Sequence, residues 1–275
     1  VVATILTSGL AAGSMSVFQF AYNIQSFPLG IIGISFATAA FPTLAFYANG
    51  ERREEFLASF TTTVRKIIFF IAPCAALLLL LRAQVVRVLL GGPSFDWAAT
   101  TTTIDIITWF AFSLVAQALI PLFARAFYAH KNTVIPLLAG IGSVATSVML
   151  SVVLAPRWGV GGLALAFSVA QLVNFSLLFS LFEARNPSFM GKREVTLLVA
   201  IMISLVAMAA VIQDVKYKIA PLVDMQTGLG IFTQGAVSGL VGLAAYVLFA
   251  LLLKVPEAVK LYTTLKSYWP YGTHS

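Results

Sequence analysis

Residues 19–44 read QFAYNIQSFPLGIIGISFATAAFPTL, a run apolar enough to cross a bilayer, yet its first half carries Gln19, Asn23, Gln25 and Ser26. Gln19 and Asn23 stand four residues apart and Ser26 three further on, so these three share one helical face. Pro28 removes a backbone donor and Gly30 and Gly33 follow, which predicts a bend there. Lipid cannot satisfy amide groups, so a polar strip on a bent membrane helix calls for a protein-lined or water-filled cavity. The strip reads either as the wall of a transport path or as a polar contact between packed helices, because amides also serve as interhelical glue. Gln19, Asn23, Gln25 and Ser26 are the candidate cavity residues.

The rest of the chain has the same character. Of 275 residues 60% are hydrophobic and 10% charged, with a mean hydropathy of +0.95. A soluble domain has about a quarter of its residues charged, so the composition is that of a polytopic membrane protein. A net charge of +7 would suggest nucleic acid in a soluble chain. Here the basic residues fall in short loops between apolar runs, which points to topology and anionic lipid head groups; no nucleic-acid partner is expected. Cys74 is the single cysteine and lies inside an apolar run, so it forms no internal disulfide.

The first ten residues, VVATILTSGL, have no initiator Met, charged n-region or cleavage site, and do not read as a signal peptide. They fall short of the ~20 residues a span needs and read as the last half of a transmembrane helix whose beginning is missing. A turn at AAGS leads to the polar-striped helix over 15–47 and the charged loop NGERREE. Further spans are predicted at about 58–81, 96–127, 133–154, 159–183, 194–213 and 229–253. A short amphipathic piece at 82–92 is stopped by Gly91, Gly92 and Pro93, and Ser94 or Asp96 is the expected N-cap of the next span. PEAVKLYTTLKSYW reads as an interfacial helix with an aromatic end. The expected fold class is an all-α polytopic membrane protein with seven complete transmembrane helices and one partial one.

Twelve of the seventeen Lys and Arg residues fall on one side of these spans, among them Arg52, Arg53, Arg65, Lys66, Arg125, Lys131 and Arg185. Arg82, Arg87, Arg157, Lys216 and Lys218 fall on the other. The richer side, with the C-terminus, is expected to be cytoplasmic. Arg65, Lys66 and Arg125 then stand at the cytoplasmic mouth, either attracting an anionic head group or anchoring the topology.

Soluble-enzyme chemistry is not visible. His130 and His274 have no Cys, Asp or Glu at metal spacing, so no metal site is expected, and nothing calls for a cofactor. Gly91-Gly92 and Gly159-Val160-Gly161-Gly162 match neither GxxxxGK[ST] nor GxGxxG, and the second reads as a tight loop with close helix packing. Asp105 is the one acidic residue well inside a span. It is a possible coupling residue for a proton or cation, or it meets the aqueous cavity or outer head groups. Ser143, Ser147 and Ser151 repeat every four residues as a packing ridge, and Gln171 and Asn174 share a face that completes a polar patch or bridges helices.

Four segments together carry a resemblance. Residues 22–30 and 33–44, LLGGPSFDWAAT, the run from Arg125 to Pro136, and GVGGLALA at 159–166 resemble, in order, parts of helices eight to twelve of the MurJ (MviN) lipid II flippases. The resemblance covers the whole chain, from the end of helix seven to helix fourteen. It implies membership of the multidrug/oligosaccharidyl-lipid/polysaccharide exporter superfamily, with two six-helix lobes around a central cavity and two extra helices forming a lipid-tail groove. Residues 1–187 would be the second lobe, its first helix truncated, and 188–275 the extra helix pair with its interfacial tail. Implied partners are a lipid-linked anionic substrate, the phospholipid bilayer and a missing N-terminal lobe of the same protein; the implied location is the bacterial inner membrane, spanned many times. The implied activity is alternating-access movement of a lipid-linked peptidoglycan precursor from inner to outer leaflet.

The chain also departs from that family. Many relatives carry an Asp-Arg pair where Tyr22-Asn23 stands, and the resemblance assigns that arginine to the precursor's pyrophosphate. Asn23 donates hydrogen bonds without charge. Ala3, Ser143 and Ser147 stand where some relatives hold sodium and offer little to a cation, so no sodium site is expected. Three readings follow: a precursor flippase, a related exporter of another polysaccharide lipid or an amphipathic cation, and a non-transporting membrane scaffold whose strip is filled by partner side chains.

Overall fold

The structure is a computed structural model describing residues 14–50, 52–90, 97–187 and 189–267. The expected partial span at 1–11, all but the last residue of the AAGS turn, the Ser94 or Asp96 cap and the aromatic end at Tyr268 and Trp269 lie outside the described residues. Among the described residues every regular element is helical. Helix α1 (Ser14–Pro28) runs through a π-helical segment (Leu29–Ile34) into α2 (Ser35–Asn49). Then come α3 (Arg53–Leu80), α4 (Arg82–Leu90), α5 (Trp97–Ala129), α6 (Val134–Arg185), α7 (Lys192–Ile219), α8 (Gly228–Leu252) and α9 (Pro256–Ser267). Among the described residues six helices are long and apolar enough to cross a membrane, the first being the continuous run Ser14–Asn49.

The predicted bend after Pro28 takes the form of a widened helical turn. Pro28 has no N–H to give, and the chain absorbs the lost bond by opening into π geometry without breaking. Ser35 Oγ donates to the Gly30 carbonyl at 3.0 Å, supplying a partner to a group that the widened turn loosens. Gly33 faces α5 so closely that a Cβ there would lie 2.9 Å from Ala118 Cα.

Segment α6 is two helices joined at Gly159 (φ 55°, ψ −136°), where the chain doubles back. Ser143 Oγ donates to the Ala170 carbonyl at 2.9 Å, although 27 residues of straight helix would span about 40 Å. Gly162 passes so near Leu154 that a Cβ would strike its carbonyl. The loop expected between 154 and 159 is therefore replaced by a reversal on a single glycine, the residue that takes this backbone without a Cβ clash. The serine ridge and glycine cluster serve that close pairing: Ser143 and Ser151 are buried.

Helix α5 is the hub, packed against α1, the π segment, α2, α3, α4 and α6. Its aromatic core joins α3 and the second arm of α6: Phe60 lies 5.0 Å from Phe123 and 4.4 Å from Phe182 between ring centroids. Such ring pairs are each worth about 1 kcal/mol beyond burial. Helices α7 and α8 form a unit that shares a second core with α3, where Ile201, Met208, Ile212 and Tyr246 pack with Phe69. Gly242 lets α8 close onto Ile212 of α7. The unit is tied to the rest by Tyr246 Oη donating to the Phe69 carbonyl (2.8 Å) and by Gln84 Nε2 donating to Gln234 Oε1 (3.0 Å).

Candidate functional site

The outer face of α1 carries Gln19 and Asn23 among exposed Phe20, Tyr22 and Phe27. Gln19 Nε2 donates to Asn23 Oδ1 at 3.1 Å, and both residues are exposed. With its carbonyl engaged, Asn23 turns its two N–H donors outward. Ser26 Oγ donates to the Tyr22 carbonyl at 2.7 Å. Because the π segment inserts extra backbone, the same face continues through exposed Ser35 and Thr38. Thr38 Oγ1 accepts from Arg125 Nη2 at 2.8 Å, so a guanidinium from α5 closes the strip. Gln19 to Thr38 spans about 28 Å of helix, close to the ~30 Å hydrocarbon thickness of a bilayer.

Gln25 does not belong to that strip. Two residues beyond Asn23, it points about 200° away around the helix. It is 1% exposed, and its Oε1 accepts from Gln117 Nε2 of α5 at 3.1 Å. Gln117 Nε2 also donates to Ser113 Oγ at 2.8 Å, while Gln25 Nε2 is buried without a partner among the described residues. Gln117 was not singled out from the sequence; its signal was a mid-span amide four residues after a serine, equivalent to the Gln19–Asn23 spacing.

The expected mouth residues are not grouped as one cluster. Arg65 Nε pairs with Glu257 Oε1 of α9 at 2.6 Å, with side chains only 12% and 5% exposed. That engagement removes it from an open mouth. Lys66 is half-buried beside it on α3, and Arg125 belongs to the strip. Asp105 is exposed on α5. Asn174 Oδ1 is buried without a partner among the described residues. Cations sort by end of the molecule as the sequence divides them. Arg53 Nη2 reaches the Arg185 carbonyl at one end; Lys216 Nζ donates to the Leu80 carbonyl and Arg82 Nη1 to Thr108 Oγ1 at the other.

Long apolar helices around a hub, a reversed helix pair and polar groups on a proline-widened helix define an all-helical polytopic membrane protein. The family model for the lipid II flippase MurJ matches residues 1–232. The chain is 29% identical over 224 residues to a probable lipid II flippase MurJ of Bdellovibrio bacteriovorus, covering 82% of this chain and 42% of that protein. With the Thermotoga maritima counterpart it shares 27% identity over 253 residues, 92% of this chain and 48% of the other. A solved structure described as lipid II flippase MurJ in an inward closed conformation superposes with a TM-score of 0.71 at 22% identity, over 91% of this chain and 49% of that one. The chain belongs to the lipid II flippase MurJ family, and it spans less than half the length of these relatives.

Proposed function

We propose that this chain is the second lobe and extra helix pair of a transporter, not an enzyme, that moves a lipid-linked anionic precursor across the bacterial inner membrane. The observation that carries this reading is the open strip of Gln19, Asn23, Ser26, Ser35 and Thr38, ending at Arg125. A polar head group cannot cross hydrocarbon unaided, and polar groups near both ends of this helix run, Gln19 to Ser26 and Ser35 to Thr38, offer it hydrogen bonds on either side of exposed Phe27, Ile31 and Ile34. Arg125 suits an anionic head group and works against a cationic cargo. Asn23, standing where many relatives are expected to carry an arginine, contributes donors to the phosphate region and leaves most of the charge to Arg125 and the other lobe. The division into a lobe (1–187) and a helix pair (188–275), and a cytoplasmic C-terminus, fit the close pairing of α7 with α8 and the charge bias.

The test is complementation. A full-length protein carrying Asn23→Leu is expressed in a host depleted of its own flippase. Lost growth at normal membrane abundance is expected; unchanged growth removes the strip from the transport path.

A further inference from the structure

Three arginines stand around a pocket outside the strip, at the edge of the aromatic core. It encloses about 400 Å³ at the end of the bundle where α2 and α5 finish, α3 begins and the second arm of α6 finishes. Arg52, Arg53 and Arg185 line it, with Phe56 and Phe127 as an apolar wall. Arg53 Nη2 donates to the Arg185 carbonyl at 3.3 Å, and the Arg185 guanidinium lies 5.7 Å above the Phe127 ring. Folding thus brings together cations 132 residues apart in the chain.

No Asp or Glu among the described residues lines this pocket. Among the described residues the ion pairs are Arg65–Glu257 and Lys218–Asp214, so none of the three arginines has a carboxylate partner. Glu54 and Glu55 follow on α3 but are exposed and outside the lining. Gathering like charges costs Coulomb energy that an anion between them offsets. Guanidinium forks match phosphate oxygens bidentately, and the aromatic wall accommodates the carbon next to a phosphoester. Phe127 points about 200° around α5 from Arg125, whose guanidinium is engaged with Thr38, so pocket and strip are separate surfaces.

We infer that this pocket is a phosphate-binding site distinct from the transport path. Its ligand is either the head group of an anionic phospholipid or a soluble phosphate. The test uses the full-length protein containing this chain, in nanodiscs of phosphatidylcholine with or without phosphatidylglycerol, with native mass spectrometry counting retained anionic lipid. Arg53→Gln with Arg185→Gln is expected to lower phosphatidylglycerol retention about tenfold or more. Arg193→Gln, at an exposed arginine away from the pocket, is expected to leave it unchanged. Inorganic phosphate added to phosphatidylcholine nanodiscs is the second arm. A rise in melting temperature that the double variant lacks assigns the pocket to a soluble phosphate; pocket-dependent lipid retention without that rise assigns it to a head group. Equal behaviour of wild type, double variant and Arg193→Gln in both arms overturns the proposal, as does an equal loss in all variants. Arg185→Lys, which keeps the charge and loses the fork, guards against a misfolded double variant and is expected to fall between it and wild type.

Discussion

Asn23 and Gln25 carry related amides two residues apart on one helix, and their surroundings differ in every other respect. Asn23 is exposed, bonded only along its own helix by Gln19, and its N–H groups face outward. Gln25 is sealed against α5 and bonded to Gln117 of a helix far along the chain. The inner amide specifies how α1 docks on the hub; the outer one is open at the surface. The two ion pairs repeat the contrast, being nearly equal in length (2.6 and 2.7 Å) but 12% and 5% against 73% and 59% exposed.

Substitutions sharpen this division between buried and open polar groups. The largest effect is expected from Arg65→Ala, which strands the buried Glu257 carboxylate and costs about 3 kcal/mol. Melting of the purified protein checks it, with exposed Lys218→Ala as a control shifting stability by about 0.5 kcal/mol or less. Gly33→Val comes next: its side chain would push into the Ala118 backbone, an overpacking cost of about 1–3 kcal/mol in the same assay. Gln25→Leu removes one partner from Gln117 and costs about 1 kcal/mol, whereas Gln25→Leu with Gln117→Leu should be close to neutral. A double-mutant cycle giving no coupling between these two residues would separate the inner amides. Asn23→Leu should change stability least, by about 0.5 kcal/mol or less, yet abolish complementation. If it melts as early as Gly33→Val, the outer face is structural after all.

Much of the architecture was legible in the sequence because apolar run length, proline and glycine act locally. The spans fall within a few residues of the runs that predict them, and the GVGG cluster marks the place where α6 reverses. Less legible was what proline would do: the bend at Pro28 was readable, the π segment was not, because packing of Gly33 on Ala118 stabilises it from outside. In the candidate site, helical spacing puts Gln19, Asn23 and Ser26 on one face, and the same arithmetic separates Gln25 from Asn23 by about 200°. Thr38–Arg125, Arg65–Glu257 and the arginine pocket all join residues distant in the chain. Nothing local in the sequence pairs them.

The bonds that fasten the α7–α8 unit have a mechanical consequence. Tyr246 holds α3, Gln234 holds α4, and Glu257, just beyond α8, grips Arg65 on α3. Three anchors spread along the length of a body suppress both sliding and pivoting. A displacement of α3 or α4 therefore carries α7 and α8 with it, so that the helix pair and the helices it is fastened to move as one body.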